Sequence, residues 1–114
     1  MSEKISSVNW KSILVANRCA AITATIKKAY EIGGRLEIQV FTGMVGFDQL
    51  TFPAGHDHDS MILLNITPNS IGVYHDDYGF ENIEFNARFN GKDHHLVIPK
   101  MRIVSILLDK EILL

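Results

Sequence analysis

The dipeptide Asn90-Gly91, set between two alternating runs, constrains this chain more than any other feature. A two-residue loop of this kind takes positive φ at both central positions and forms a type I′ turn, whose twist suits the flanking strands. The loop length then fixes the pairing. Phe89 stands opposite Lys92, Arg88 opposite Asp93, Ala87 opposite His94, Asn86 opposite His95, Phe85 opposite Leu96 and Ile83 opposite Ile98. Side chains alternate with period two along a strand. One face therefore carries Ile83, Phe85, Ala87, Leu96 and Ile98, with His94 at its rim. The other carries Glu84, Asn86, Arg88, Asp93 and His95, with Val97 as its single apolar member. A hairpin divided in this way belongs to a sheet with one packed face and one face that is wet or used.

Upstream, residues 9–32 follow a helical period. Val15, Cys19, Ile22, Ile26 and Tyr30 recur at spacings of three and four and share one face. Trp10, Ile13 and Leu14 extend the apolar surface on the first turns. Asn9 or Ser7 is the candidate cap, and Gly33-Gly34 is the stop, because glycine takes the left-handed conformation that ends a helix. Such a helix is about 36 Å long at 1.5 Å per residue, which is long for a small domain. Either it lies across a sheet as part of the core, or its second flank meets another subunit.

Residues 35–42 alternate, with Leu36, Ile38 and Val40 against Glu37, Gln39 and Thr42, and read as a strand. Gly43 and Gly46 suggest a turn, residues 47–52 a short strand, and Pro53-Ala54-Gly55 a break. Residues 61–67 read as a strand that is apolar on both faces near its start, Ile62, Leu64 and Ile66 against Met61 and Leu63. That pattern belongs to a central or doubly covered strand. Pro68-Asn69 makes a turn, residues 71–74 a short strand and residues 75–79 a second tight connection. After Pro99 two readings stay open: a helical turn over 100–103 followed by a strand over 104–109, or one helix over 100–113. Met101, Val104, Leu107 and Leu108 suit the helix, whereas β-branched Ile103, Val104 and Ile106 suit the strand. One helix followed by short strands joined by tight turns predicts a β-rich α+β meander, curled into an open or closed barrel that hides its edges.

With 114 residues the chain makes one domain, 1–114. It is long enough to bury roughly two thirds of the surface its unfolded form exposes. The net charge of −2 gives no basic footprint for a phosphate backbone. Cys19 is the only cysteine, so neither a disulfide framework nor a cysteine zinc cluster forms within one chain. The opening MSEKISSVNWK lacks an apolar secretory segment, and no apolar run reaches bilayer length; the expectation is a cytoplasmic protein. His56-Asp57-His58-Asp59 has the residue types of a metal loop. A glycine-preceded polar loop with chance histidines is the better account, since metal ligands need organised supporting partners. His75-Asp76-Asp77 is similar, and His94-His95 point to opposite faces, which weakens them as a chelate. Cys19 sits on the apolar stripe as a packing residue. Gly43-Met44-Val45-Gly46 lacks the Lys-Ser/Thr partner of a phosphate loop. Nothing in these patterns places a catalytic group, a metal or a cofactor, so the expectation is a protein that is not an enzyme.

The segments around the hairpin resemble the stringent starvation protein B family, adaptors of the ClpXP protease. The resemblance is carried by Leu63-Leu64-Asn65-Ile66-Thr67-Pro68 followed by Ile71-Gly72, by Phe85-Asn86-Ala87-Arg88-Phe89 with Gly91, and by Val97-Ile98-Pro99. It covers about residues 50–111 and fades before Pro53, where the helix looks longer than the family's. The resemblance implies an N-terminal helix packed on a small open barrel similar to the Sm fold, over about residues 35–111, with its last strand interrupted by a helical turn after Pro99. It implies an adaptor that holds ssrA-type degradation tags as extended peptides and enhances their delivery to the unfoldase ClpX for proteolysis. It also implies a homodimer through the N-terminal helix, with Val15, Cys19, Ile22 and Ile26 as interface candidates. The family docks on ClpX through a flexible acidic tail; this sequence stops at Leu114, so the expectation is that the tail is absent, cut away or never present, which puts tethering to ClpX in doubt.

An extended tag is held by main-chain hydrogen bonds and by pockets for alternate side chains, over an apolar floor with a few placed polar groups. Ala87 is small among bulky neighbours and leaves room for a backbone; Arg88 offers a charged fork to a carboxylate or carbonyl; Asn86 both donates and accepts. By resemblance, Ser70 and Ile71 stand near the tag. The expected peptide site is thus Ser70, Ile71, Asn86, Ala87 and Arg88. A cross-strand pair with Asp93 explains Arg88 without a ligand. The competing readings are a small Sm-like RNA-binding module, disfavoured by the charge and by the lack of exposed aromatic stacking pairs, and a metal-dependent hydrolase built on the histidines.

Overall fold

The computed structural model describes residues 7–41, 61–76, 81–89 and 91–114. The first element is α1 (Trp10–Ile32). Asn9 caps it, its side-chain oxygen accepting the Ser12 N–H at 3.0 Å. Gly33, at φ 86°, ends it and returns its N–H to the Ala29 carbonyl. The stripe read from spacing is the packed one: Cys19, Ile22, Ile26 and Ala29 are buried, and Val15 and Tyr30 are half-buried.

Among the described residues seven strands follow: β1 (Leu36–Phe41), β2 (Met61–Asn65), β3 (Gly72–Asp76), β4 (Asn82–Phe89), β5 (Lys92–Pro99), β6 (Ile103–Leu108) and β7 (Glu111–Ile112). A 3-10 turn, Lys100–Arg102, joins β5 to β6. The strands make two antiparallel sheets, ordered β2-β1-β6-β7 and β3-β4-β5. The protein is therefore a β-rich α+β domain with one N-terminal helix. One expectation changes. The order is not a simple meander, because β1 pairs with β2 on one side and with distant β6 on the other. Among the described residues the sheets are not closed into a barrel.

The open question after Pro99 resolves to the helical turn and strand. β6 gains a ladder on β1 and buries Ile103 and Ile106, a tertiary reward that outweighs the ambiguous local pattern. Strand β2 departs from its reading: it lies at the edge of its sheet among the described residues, with Leu64 buried but Met61 and Leu63 exposed. The Pro68-Asn69 turn forms as expected, closed by the Ser70 N–H on the Thr67 carbonyl at 2.8 Å. The expectations for residues 43–59, including the His56-Asp57-His58-Asp59 loop, and for residues 77–79 and Asn90 lie outside the described residues.

The core gathers Ile22, Ile26 and Ala29 of α1 with Leu36, Ile38, Val40, Leu64, Ile66, Ile103 and Ile106 and with Ile83, Phe85, Leu96 and Ile98 of the hairpin. Among the described residues three charged side chains are buried as well: Glu37, Lys100 and Arg102. Arg102 donates to the Phe41 carbonyl at 3.0 Å and lies over its ring. Among the described residues no helix is long and apolar enough to cross a membrane.

Candidate functional site

The hairpin forms in the register that its turn dictates. All six expected pairs occur, from Phe89 with Lys92 to Ile83 with Ile98, and Gly91 takes φ 78°. Ile83, Phe85, Leu96 and Ile98 are fully buried, and Ala87 is half-buried against the core. The opposite face is polar and mostly exposed.

Strand β3 then builds one end of this sheet. Gly72 pairs with Asn86 and His75 with Glu84, with an irregularity between them. The turn that carries Ser70 and Ile71 leads directly into Gly72, so it enters the sheet at the Asn86 end of β4. The five expected peptide-site residues do not share one face. Ile71 and Ala87 turn toward the core, where both are packed, whereas Asn86 and Arg88 belong to the polar side. Alternation explains the split, because Ala87 must point away from both of its neighbours.

The polar side is a ladder of paired groups. Arg88 Nε lies 3.1 Å from Asp93 Oδ1, with both side chains 74% exposed. An ion pair that open is worth little, at most about 1 kcal/mol. His95 Nδ1 lies 3.0 Å from Asn86 Oδ1, and its Nε2 lies 3.5 Å from Glu84 Oε2. Gly72 adds an opening: a Cβ there would sit 3.6 Å from Asn86 Cβ and 3.9 Å from Asn86 Nδ2, and glycine leaves that space clear. His95 and Gly72 were missing from the expected site. The pairing of Asn86 with His95 was already legible from the turn, and a glycine opening a short strand often marks a close approach by another backbone.

The expected interface on α1 also changes. Ile22 and Ile26 are fully buried in this chain's own core, so they are core residues rather than a surface for a partner, whereas Cys19 is 9% exposed and lines a cleft beside α1. Burial, aided by the Glu81 carboxylate, pushes the Cys19 thiol up from its ordinary range. Val15 stays half-buried, and the exposed apolar side chains of the helix are Trp10, Ile13, Leu14 and Ile32.

Two clefts of about 460 and 410 Å³ flank α1, and neither is lined by the five expected residues. They are separated by a buried pair: Lys100 Nζ lies 2.6 Å from Asp76 Oδ1 and donates to Thr23 Oγ1 at 2.6 Å. In the second cleft the Tyr30 hydroxyl donates to the Ile66 carbonyl at 2.7 Å, and burial pushes its pKa up to about 12. His94 is half-buried and His95 exposed, on opposite faces. Among the described residues no group of three or more His, Cys, Asp or Glu side chains is placed to hold a metal ion. No protein-family model matches the chain, and no curated protein matches it either.

Proposed function

We propose that this chain is a cytoplasmic peptide-binding adaptor of the stringent starvation protein B kind, which holds ssrA-type tags as extended segments and enhances their delivery to ClpX. The observation that carries the reading is the pairing of Gly72 with Asn86, which brings the turn of Ser70 and Ile71 to the Asn86 end of β4. An extended tag laid there finds donors and acceptors on Asn86 and Arg88, and small or half-buried apolar groups at Gly72, Ile71 and Ala87. On this reading the two sheets are the halves of a small open, Sm-like barrel, and the groove lies beside the Phe85-Asn86-Ala87-Arg88-Phe89 run. A homodimer through the first turns of α1 belongs to the same proposal.

Titration with a fluorescent ssrA-tag peptide tests it. Wild type is expected to bind at micromolar or better affinity. Ala87→Gln is expected to bind roughly tenfold more weakly, a loss of about 1.4 kcal/mol, because the longer side chain takes up space beside the groove. A urea melt of the variant separates a blocked groove from a lost fold. Unchanged affinity in Ala87→Gln removes the groove assignment. Salt-dependent binding of a single-stranded RNA, with no binding of the tag, favours the RNA-binding module instead.

A further inference from the structure

We propose that the cleft between α1 and β3 binds a small aromatic molecule that carries one neutral N–H or O–H donor, of the indole or phenol kind. The site lies away from the hairpin's polar face and is independent of the peptide-binding reading.

The cleft of about 410 Å³ is lined mainly by Ile26, Lys27, Tyr30 and Glu31 of α1 and by Tyr74 and Asp76 of β3. Its volume falls in the range of small-molecule sites, about 300–1,000 Å³. Its walls are aromatic and held in place. Tyr30 and Tyr74 meet edge to face, with ring centroids 5.4 Å apart and planes at 83°. The Tyr30 ring is tethered through its hydroxyl to the Ile66 carbonyl, and the Tyr74 ring stacks on Phe85 of the core at 6.5 Å. Ile26, 1% exposed, adds apolar surface. A third flat ring can stack or meet an edge there, the two arrangements that aromatic pairs favour.

One polar group is built into this apolar space. The Asp76 side chain is 7% exposed, and its Oδ1 is taken by Lys100 Nζ at 2.6 Å. Lys100 is held in turn by Thr23 Oγ1 at 2.6 Å, so the carboxylate is fixed. Among the described residues nothing donates to the second oxygen, Oδ2. A carboxylate oxygen in an apolar cleft calls for a donor, and the cleft is where a donor has room to arrive. The charge of Asp76 is already matched by Lys100, and exposed Lys27 and Glu31 at the mouth carry opposite signs. The cleft therefore offers an acceptor without excess negative charge. A neutral N–H or O–H suits it better than an ammonium, which would come up against the buried cation of Lys100.

Titration of the whole chain with indole tests the site, followed by NMR through the ring protons of Tyr30 and Tyr74 and the methyl groups of Thr23 and Ile26. Indole is expected to shift these signals and to bind at about 1 mM or tighter. Benzothiophene has the same shape with sulfur in place of the N–H. It is expected to bind roughly tenfold more weakly, the loss of one hydrogen bond to a charged group. Benzylammonium is expected to bind more weakly than indole as well. In Asp76→Asn the amide oxygen stays with Lys100 and the amide nitrogen faces the cleft. That variant is expected to bind indole only at the level of benzothiophene, and to bind benzothiophene as wild type does. A urea melt shows whether the variant is folded; where it is not, the comparison of indole with benzothiophene in the wild-type protein decides. Indole that leaves these residues unmoved, equal affinity for indole and benzothiophene, or tighter binding of benzylammonium overturns the proposal.

Discussion

A lysine withdrawn from water must be held by oxygen, and Lys100 shows how tightly. Its side chain is 1% exposed, and its ammonium meets Asp76 and Thr23 at 2.6 Å each, tying the 3-10 turn to β3 and α1. Burying the pair costs desolvation on both charges, so its net value is small, but removing Asp76 takes from the buried ammonium the carboxylate it sits against. Asp76→Ala is therefore expected to destabilise the fold by about 3–5 kcal/mol, while Lys100→Met with Asp76→Leu lies within roughly 1–2 kcal/mol of wild type. Urea melts of the two singles and the double check this; a double variant as weak as Asp76→Ala disproves the account. None of this was legible in the sequence. Asp76 read as part of a polar connection and Lys100 as the start of a helical turn. The partners meet through tertiary packing, which neither a two-residue nor a 3.6-residue period encodes. Asn86 and His95 are the opposite case, because one turn of fixed length decided their pairing in advance.

The same contrast holds for whole elements. The bounds of α1 were readable because both ends use local chemistry, an Asn9 side chain at one and a glycine at the other. The β4–β5 hairpin was readable for the same reason. The ladder between β1 and β6 was not, since it joins strands at opposite ends of the chain, and the edge position of β2 follows only once that ladder is known. Gly33 and Gly34 show how a local signal acquires a distant purpose. Gly33 takes φ 86° with nothing near its missing Cβ, so its role is purely conformational. Gly34, at φ 111°, would place a Cβ 2.7 Å from Asp109 Oδ2. Asp109 enters the turn between β6 and β7 with φ 49°; its carboxylate accepts the Arg35 N–H at 2.9 Å, and its own N–H returns to the Arg35 carbonyl. The glycine pair thus both ends the helix and seats the last hairpin against the start of β1. Gly33→Ala is expected to cost about 1–3 kcal/mol, because φ 86° with ψ 173° is backbone that glycine alone enters readily. Gly34→Ala should cost more, because the clash also displaces Asp109. Chemical denaturation of both variants measures the difference, and equal losses would show that the Asp109 contact carries no weight.

At the scale of the molecule, the sides of α1 have to be accounted for separately. One stripe packs into the core that both sheets share, where Ile22, Ile26 and Ala29 join Ile38 and Ile106 of one sheet and Phe85 and Leu96 of the other. The first turns instead present Val8, Trp10, Ile13 and Leu14 to solvent, with Trp10 52% and Leu14 67% exposed. Met101 and Val104 are exposed beyond them, and Arg18 fastens the helix to this part of the chain through the carbonyls of Ile103 and Val104, each at 3.1 Å. Single exposed apolar residues need no explanation, but several on consecutive turns mark a surface for a partner. The proposed homodimer would therefore form through Trp10, Ile13 and Leu14 with half-buried Val15, not through Ile22 and Ile26, which this chain uses for its own core. The two kinds of position separate in experiment. Leu14→Asp is expected to leave the urea midpoint within about 0.5 kcal/mol of wild type, as surface substitutions do, while converting a dimer into a monomer in sedimentation equilibrium. Ile22→Ala is expected to cost roughly 2–5 kcal/mol of stability through the cavity it leaves. A wild-type protein that sediments as a monomer at tens of micromolar removes the dimer and leaves the Trp10–Leu14 surface for a different partner; a Leu14→Asp variant that stays dimeric moves the interface elsewhere.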